Sequence, residues 1–209
     1  DSLLFEPGNN YQYSNPAFNG LALIVEQVSG IQWQQYINSK IFRIAGMTMS
    51  TITDGPYPKN GVSHGYIKVK TEWHEKDYGE EPTFAAAGNG GVWSSVRELA
   101  KYQLALTHAT FLPKEIIERS QSITTFESWQ GEQPPFIGWS WFIGQTEEGL
   151  KTVGHTGSQG GFRSNYVTIP EKEIFFTILC NTPYDVSVFT DHITKTLRSS
   201  NWLDKPSAE

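Results

Sequence analysis

The sequence predicts an α+β fold, in which a mainly helical region is followed by antiparallel strands and a closing helix. Apolar residues recur at helical spacing in the first half of the chain, most clearly between Asn15 and Gly30. After Gly131, short runs rich in β-branched and aromatic residues indicate strands. We therefore divide the chain into a helical region (1–130), a region of strands with a closing helix (131–198) in the same domain, and a tail (199–209).

The expected helices follow from capping and breaking signals. Asn15 suits the N-cap of the first helix, Pro16 suits its first turn, and Gly30 suits its C-terminal end. The spacing Ser95-x-x-Glu98 has the form of a capping box at the start of another helix. The remaining helices are expected at Gln32–Ile44, Val96–His108, Pro113–Arg119 and Val186–Leu197.

The expected strands alternate apolar and polar residues or are rich in β-branched residues. They are His64–Lys70, Gly138–Gly144, Thr152–His155, Tyr166–Ile169 and Ile174–Cys180, with a turn at Pro170–Glu173. Thr71–Pro82 is charged and expected to be irregular, and Ala85–Gly91 to be a tight connection. Three tryptophans lie at core-facing spacing, namely Trp33, Trp139 and Trp141. The helical half contains no obvious strand partner, which suggests that part of the fold lies outside these residues.

Composition excludes several classes of function. The 209 residues carry a net charge of -6, 18% charged residues and 13% aromatic residues, which indicates a folded globular chain. Nucleic acid is not an expected partner, because no basic stripe is present. No apolar run is long enough for a membrane span, and the single Cys180 cannot form an internal disulfide. His74-Glu75 lacks a second histidine at metal spacing, so no metal or cofactor is expected.

The first chemically suggestive pattern is Tyr13-Ser14-Asn15, directly before the first helix. A tyrosine can act as a general base if a nearby cation lowers its pKa from about 10. An asparagine two residues later can hydrogen-bond a substrate amide. On the tripeptide alone, a buried tyrosine followed by a helix cap is the favoured alternative.

The second pattern is the segment from Gly154 to Phe162, which contains His155, Thr156, Gly157 and Ser158. A ligand can approach the backbone closely at Gly157 because glycine has no Cβ. The Ser158 N–H could then point at a developing oxyanion. A glycine-rich turn between two strands is an equally acceptable interpretation of this segment alone.

In this order, the two patterns resemble the second and third motifs of the penicillin-recognising serine hydrolases, the family of class C β-lactamases, DD-peptidases and esterases. That family has Ser-x-x-Lys, then Tyr-x-Asn, then Lys-Thr-Gly or His-Thr-Gly. The similarity extends over nearly the whole chain. It includes Phe5–Gly8, Gly20-Leu21, Glu26–Gly30, Gly46-Met47, Gly90–Ala100, Gly138-Trp139 and Cys180-Asn181.

The resemblance implies a partial β-lactamase/transpeptidase-like fold and an acyl-enzyme mechanism without a cofactor. Tyr13 would share proton transfer with the lysine of the first motif, and Asn15 would hold the substrate amide. His155 and Thr156 would face the substrate carboxylate or the leaving group, beside Gly157. The Ser158 N–H would form half of the oxyanion hole. The implied substrate is a small molecule or peptide, namely a β-lactam, a D-Ala peptide or an ester, and family habit favours a periplasmic or cell-surface location.

Two departures from the family pattern affect these expectations. No lysine has a serine or threonine three residues before it, so the Ser-x-x-Lys motif is absent from these residues. Truncation or proteolysis would explain this, and the missing N-terminal part of the same domain is then an expected partner. We expect the 209-residue chain alone to be inactive; the alternative is a noncatalytic ligand-binding or regulatory module. His155 in place of lysine leaves the specificity open and makes the charge of the site sensitive to pH near neutrality.

Overall fold

The computed structural model describes residues 2–53, 58, 60–75, 88–125, 136–159 and 161–204. Within these residues the fold is α+β, as expected. The helices are α1 (Asn15–Ser29), α2 (Trp33–Ile37), α3 (Val96–Thr107), α4 (Lys114–Ser120) and α5 (Val186–Ser199). The strands are β1 (Thr51–Ile52), β2 (Tyr66–Val69), β3 (Glu72–Glu75), β4 (Val92–Trp93), β5 (Phe136–Ile137), β6 (Phe142–Gln145), β7 (Lys151–Gln159), β8 (Phe162–Ile169) and β9 (Ile174–Cys180).

Helix α1 begins as the sequence predicts, but its N-cap is Ser14 and not Asn15. Ser14 has an extended backbone, and its Oγ accepts a hydrogen bond from the Ala17 N–H at 3.3 Å. Asn15 is already helical, and Pro16 lies in the first turn, where its missing N–H carries no penalty. Gly30 ends the helix with a φ of 68°, a left-handed conformation that favours glycine.

The helix expected from Gln32 to Ile44 is shorter and irregular. After α2, the segment Asn38–Phe42 forms a π-helical turn, in which the Arg43 N–H donates to the Asn38 carbonyl at 3.0 Å. Sequence periodicity does not distinguish this turn from a continuous α-helix. The segment delivers Phe42 to a core cluster of the first half, formed with Ile37, Met47 and Ile52.

The second half is built on one antiparallel sheet with strand order β5-β6-β7-β8-β9. Successive residues of a strand point to opposite faces, and two neighbours on β8 show what covers each face. Asn165 Nδ2 donates to Thr190 Oγ1 on α5 at 2.7 Å. The hydroxyl of the next residue, Tyr166, donates to Gln103 on α3. The sheet therefore lies between α5 and the helical half, as an α+β arrangement requires.

Several local expectations are corrected. Glu72–Glu75 pairs with β2 and is not irregular; its residues are exposed on both faces, so no apolar alternation marked it as a strand. The strand expected from Gly138 starts only at Phe142. Trp139, expected in the core, is 46% exposed. Most of Thr71–Pro82 and part of Ala85–Gly91 lie outside the described residues. The division at 130 and 198 stays a prediction.

Helix α1 carries apolar residues on an exposed side. Its buried residues are Asn19 and Ala22, whereas Leu21, Ile24 and Val28 are 52%, 56% and 83% exposed. A helix with apolar residues on several sides is typical of a position inside a larger core. No helix of the described residues is both long and apolar enough to cross a membrane.

Candidate active site

A cleft of about 310 Å³ lies where the start of α1 meets β7 and the turn between β5 and β6. It is large enough for a small ligand. Its described lining is mostly aromatic, amide and hydroxyl side chains. The lining residues are Tyr11, Gln12, Tyr13, Ser14, Asn15, Phe18, Gly88, Asn89, Thr124, Ile137, Gly138, Trp139, Ser140, Trp141, Phe142 and His155.

Tyr13 and His155, separated by most of the chain, meet in this cleft. Their ring centroids are 6.4 Å apart, with an angle of 34° between the ring planes. Asn15 lines the same cleft, two residues after Tyr13. Tyr13 is 53% exposed, so the interpretation of Tyr13 as a buried packing residue does not hold. A small ligand in the cleft can contact all three side chains.

His155 is held by two neighbours. Its ring stacks on Phe142 with a centroid distance of 4.7 Å. Its Nδ1 lies 2.6 Å from the Thr156 carbonyl oxygen. A carbonyl oxygen only accepts, so Nδ1 carries the proton of this hydrogen bond. In the neutral ring Nε2 is then an acceptor, which leaves it able to receive a proton or a hydrogen bond from a ligand.

The strand that carries His155 is regular, so the alternative of a glycine-rich turn is wrong for residues 154–159. Strand alternation places His155 and Gly157 on one face of β7, and Thr156 and Ser158 on the other. Thr156 lines a smaller recess of about 190 Å³, which it shares with Asn165. Gly157 and Ser158 line neither cavity.

Gly157 has a structural role beside any contact with a ligand. A Cβ at this position would overlap the Ser164 hydroxyl on the neighbouring strand. The glycine therefore leaves room for the Ser164 side chain on the face that His155 shares. Because that neighbour is a hydroxyl that can rotate, the space at Gly157 is also adjustable.

The backbone edge of β7 beside His155 is open in the described part of the molecule. Strand β6 pairs only with Lys151–Gly154, and β8 pairs with the other edge as far as Gln159. Alternate N–H and C=O groups of an unpaired edge point away from the sheet and can bind an extended ligand. The predicted use of the Ser158 N–H requires an edge of this kind.

Asn89 is a cleft residue that the sequence analysis did not single out. Its backbone N–H donates to Asn19 Oδ1 on α1 at 3.1 Å, and Asn19 is only 7% exposed. Gly88 packs against the Phe18 carbonyl so closely that a Cβ would overlap it. One signal was available in the sequence, since Asn19 is the single polar side chain between Ala17 and Val25.

The described lining of the cleft carries few ionisable side chains. This part of the lining contains no lysine, arginine, aspartate or glutamate. Burial, and secondarily the neighbouring Tyr13, raise the pKa of Tyr11 above its usual value. In this described lining, His155 is the only side chain that can become a cation near Tyr13. Likewise, no group of three or more His, Cys, Asp or Glu side chains in the described residues could hold a metal ion.

Two tyrosines beneath the site are fixed as neutral hydroxyls. Tyr166 lies opposite His155 on β8, and its ring is 5.6 Å from that of Trp141. Burial, with a smaller contribution from Tyr102, raises the pKa of Tyr166 far above its usual range. Burial raises the pKa of Tyr102 to about 12. Both groups therefore act near neutral pH as uncharged support for the cleft.

Comparison with known families agrees with this geometry. The family model described as Beta-lactamase matches residues 1–198. The chain belongs to the β-lactamase family. Within this family it is similar to penicillin-binding protein 4* of Bacillus subtilis, with 27% identity over 87% of the chain and 42% of that protein. It is also similar to the D-alanyl-D-alanine-carboxypeptidase/endopeptidase AmpH of Escherichia coli K12, with 25% identity over 85% of the chain and 47% of that protein.

A solved structure extends the match to three dimensions. The octameric penicillin-binding protein homologue from Pyrococcus abyssi superposes with a TM-score of 0.80 and 29% identity. The superposition covers 94% of the chain and 44% of the homologue. The chain thus spans less than half the length of the curated β-lactamase-family relatives described above. These relatives identify it as a member of a serine hydrolase family with a partial β-lactamase/transpeptidase-like fold.

Proposed function

We propose that this chain forms the Tyr-x-Asn and His-Thr-Gly walls of a serine hydrolase active site that cleaves an amide or ester through an acyl-enzyme. The observation that carries the proposal is the meeting of Tyr13 and His155 across one cleft, with ring centroids 6.4 Å apart and Asn15 beside them. The proposed substrates are a β-lactam, a D-Ala peptide or an ester. No cofactor takes part.

In the proposed reaction, a serine from a Ser-x-x-Lys segment outside these 209 residues attacks the substrate carbonyl carbon. Its proton passes to the Tyr13 oxygen or to the lysine of that segment, while the carbonyl oxygen becomes an oxyanion. The Ser158 N–H and the N–H of the nucleophile hold this oxyanion. Collapse expels the leaving nitrogen or oxygen, which takes the proton, and water then hydrolyses the acyl ester.

The remaining side chains orient the substrate in this proposal. Asn15 hydrogen-bonds the amide of the acyl part. His155 faces the substrate carboxylate or the leaving group through Nε2, since Nδ1 is engaged with the Thr156 carbonyl. Thr156 and Gly157 bind the same end of the substrate from the open edge of β7.

The proposed partner is the N-terminal part of the same domain, which would carry the nucleophile. The exposed apolar side of α1 supports this, because Leu21, Ile24 and Val28 are each more than half exposed. Burying the part of each side chain that is still exposed would stabilise the assembled domain by about 1–2 kcal/mol per side chain. We also propose a periplasmic or cell-surface location.

Covalent labelling tests the proposal on the full-length protein that contains these residues. A fluorescent penicillin and a fluorophosphonate should each form an adduct. Tyr13→Phe should slow labelling by about 10²- to 10⁴-fold, because proton transfer is lost. Tyr184→Phe is the control, since Tyr184 is 49% exposed and Tyr13 53%, and Tyr184 lies outside the cleft. An absence of adduct with both probes would refute the proposal, and unchanged labelling of the Tyr13 variant would refute the role of Tyr13 in proton transfer.

The alternative is a noncatalytic ligand-binding or regulatory module that retains the cleft. The absence of Ser-x-x-Lys and Thr-x-x-Lys from these residues favours this alternative. Sequencing the gene upstream of Asp1 discriminates between the two proposals, because only the enzyme requires that motif at a helix start. The purified 209-residue chain is expected to hydrolyse neither nitrocefin nor an ester, and measurable turnover would contradict that expectation.

A further inference from the structure

Trp139 stands at the rim of the cleft on a rigid turn. The turn joins β5 to β6, with the Gly138 N–H donating to the Trp141 carbonyl at 2.9 Å. It is fixed to the end of α4, because the Trp139 N–H donates to the Ser120 carbonyl at 2.7 Å. A Cβ at Gly138 would overlap that same carbonyl oxygen. The backbone that carries the indole is therefore held on two sides.

The indole itself is supported by a cation. The Arg119 guanidinium lies over the Trp139 ring, 5.0 Å from its centroid, and Arg119 is not among the residues that line the cleft. A guanidinium in this position is attracted by the ring and restricts its rotation. Trp139 is 46% exposed and lines the cleft. A single exposed tryptophan needs no special explanation, but this one is fixed in place and borders a cavity.

The surroundings of Trp139 suit an aromatic group. Phe18, Trp141 and Phe142 line the same cleft. Within the described lining no lysine, arginine, aspartate or glutamate is present to attract a charged substituent. Aromatic rings gain from stacked or edge contacts with such walls beyond the effect of buried area.

We propose that Trp139 is a specificity-determining residue, which selects substrates whose acyl part carries an aromatic ring. This inference rests on the proposed function, because it assigns the cleft to the acyl part of the substrate. The ring packs against the indole, while the adjoining amide lies toward Asn15. A substrate with only a methyl group in the same place lacks this contact.

Equilibrium binding tests the inference without requiring catalysis. N-phenylacetyl-D-alanine and N-acetyl-D-alanine differ by one phenyl ring and resemble the acyl product. Titrated into the full-length protein by calorimetry, the phenylacetyl compound should bind about twofold to tenfold more tightly. Trp139→Ala should remove this difference, and Trp139→Phe should retain most of it. Trp202→Ala is the control, since Trp202 is 52% exposed and lies outside the cleft.

Three outcomes would overturn the inference. They are equal affinity of the two compounds for the unmodified protein, persistence of the difference in Trp139→Ala, and absence of binding by both compounds. Circular dichroism of each variant separates loss of the contact from loss of the fold. Covalent labelling decides the proposed function independently, so labelling with equal affinities refutes only the role of Trp139.

Discussion

Removal of the Glu98 carboxylate should destabilise the first half of the chain. Glu98 is only 2% exposed and accepts three hydrogen bonds. The donors are the Met49 N–H at 2.8 Å, Lys101 Nζ at 2.6 Å and the Ser50 hydroxyl at 3.3 Å. Lys101 Nζ also donates to the Gly46 carbonyl at 2.8 Å, so the group ties α3 to the segment that follows α2.

The size of the effect follows from which partners can return to water. In Glu98→Ala the Met49 amide loses its acceptor in a part-buried position, which costs about 1–3 kcal/mol. Lys101 has a side-chain exposure of 36%, so it rehydrates at smaller cost. The lost ion pair and packing bring the expected decrease in the free energy of unfolding to about 2–4 kcal/mol. Glu98→Gln keeps an acceptor for the Met49 N–H and should cost about half as much.

Urea denaturation followed by tryptophan fluorescence measures this decrease. Glu118→Ala is the matched control, because Glu118 pairs with Lys114 at 3.6 Å while both side chains are more than 60% exposed. Such a surface pair contributes less than about 0.5 kcal/mol. If Glu98→Ala unfolds at the same urea concentration as Glu118→Ala, the argument from burial and hydrogen bonding is wrong.

The stabilisation by Glu98 should also depend on pH. Burial by itself raises the pKa of this carboxyl, but hydrogen bonds from Lys101, Met49 and Ser50 outweigh it, so the pKa lies below the usual 4.5. A lowered folded-state pKa means that the stabilisation is complete above the unfolded-state pKa and is lost as the pH falls through the folded-state pKa. The difference between the native protein and Glu98→Gln should be constant above about pH 6 and shrink below about pH 4.5.

Two further substitutions test how the cleft is held in place. Gly154→Ala would push a Cβ into the Tyr166 carbonyl and should lower the free energy of unfolding, measured by urea denaturation, by about 1–3 kcal/mol. Gly20→Ala is the control, because Gly20 has open space around it and alanine there should not destabilise α1. Equal unfolding midpoints of the two variants would contradict this reasoning. Asn19→Ala removes the acceptor of the Asn89 N–H and should accelerate hydrogen exchange of that amide. An unchanged exchange rate would show that this hydrogen bond does not hold Asn89 in place.

Much of the architecture was predictable because local signals and tertiary structure agree. Gly30 ends α1 where expected, and β-branched runs mark β8 and β9. The meeting of Tyr13 with His155 was expected from the order of two motifs in a known family. No local pattern links these two residues, so helix and strand propensities alone would not have predicted their contact.

Other features depend on contacts between distant residues and left no local signal. Asn19 binds Asn89 across 70 positions, and Met49 binds Glu98 across 49. Trp139 fits the apolar alternation expected of a strand. In the structure its backbone N–H instead donates a hydrogen bond to the Ser120 carbonyl, and its indole is partly exposed at the surface. Periodicity reports which residues could be buried, whereas such pairings decide which of them are buried.

The short length of β6 has a consequence for how such a cleft can change. Each pair of residues added to the β5–β6 hairpin, one in each arm, would lengthen each arm by about 3.3 Å. Successive pairs could extend the pairing of β6 along the vacant edge of β7 beyond Gly154. The unpaired N–H and C=O groups of β7 would then form hydrogen bonds with β6. The cleft would close even though every side chain that lines it was retained. Insertions and deletions in a surface turn are thus a direct route by which relatives of this protein can narrow, widen or abolish substrate access.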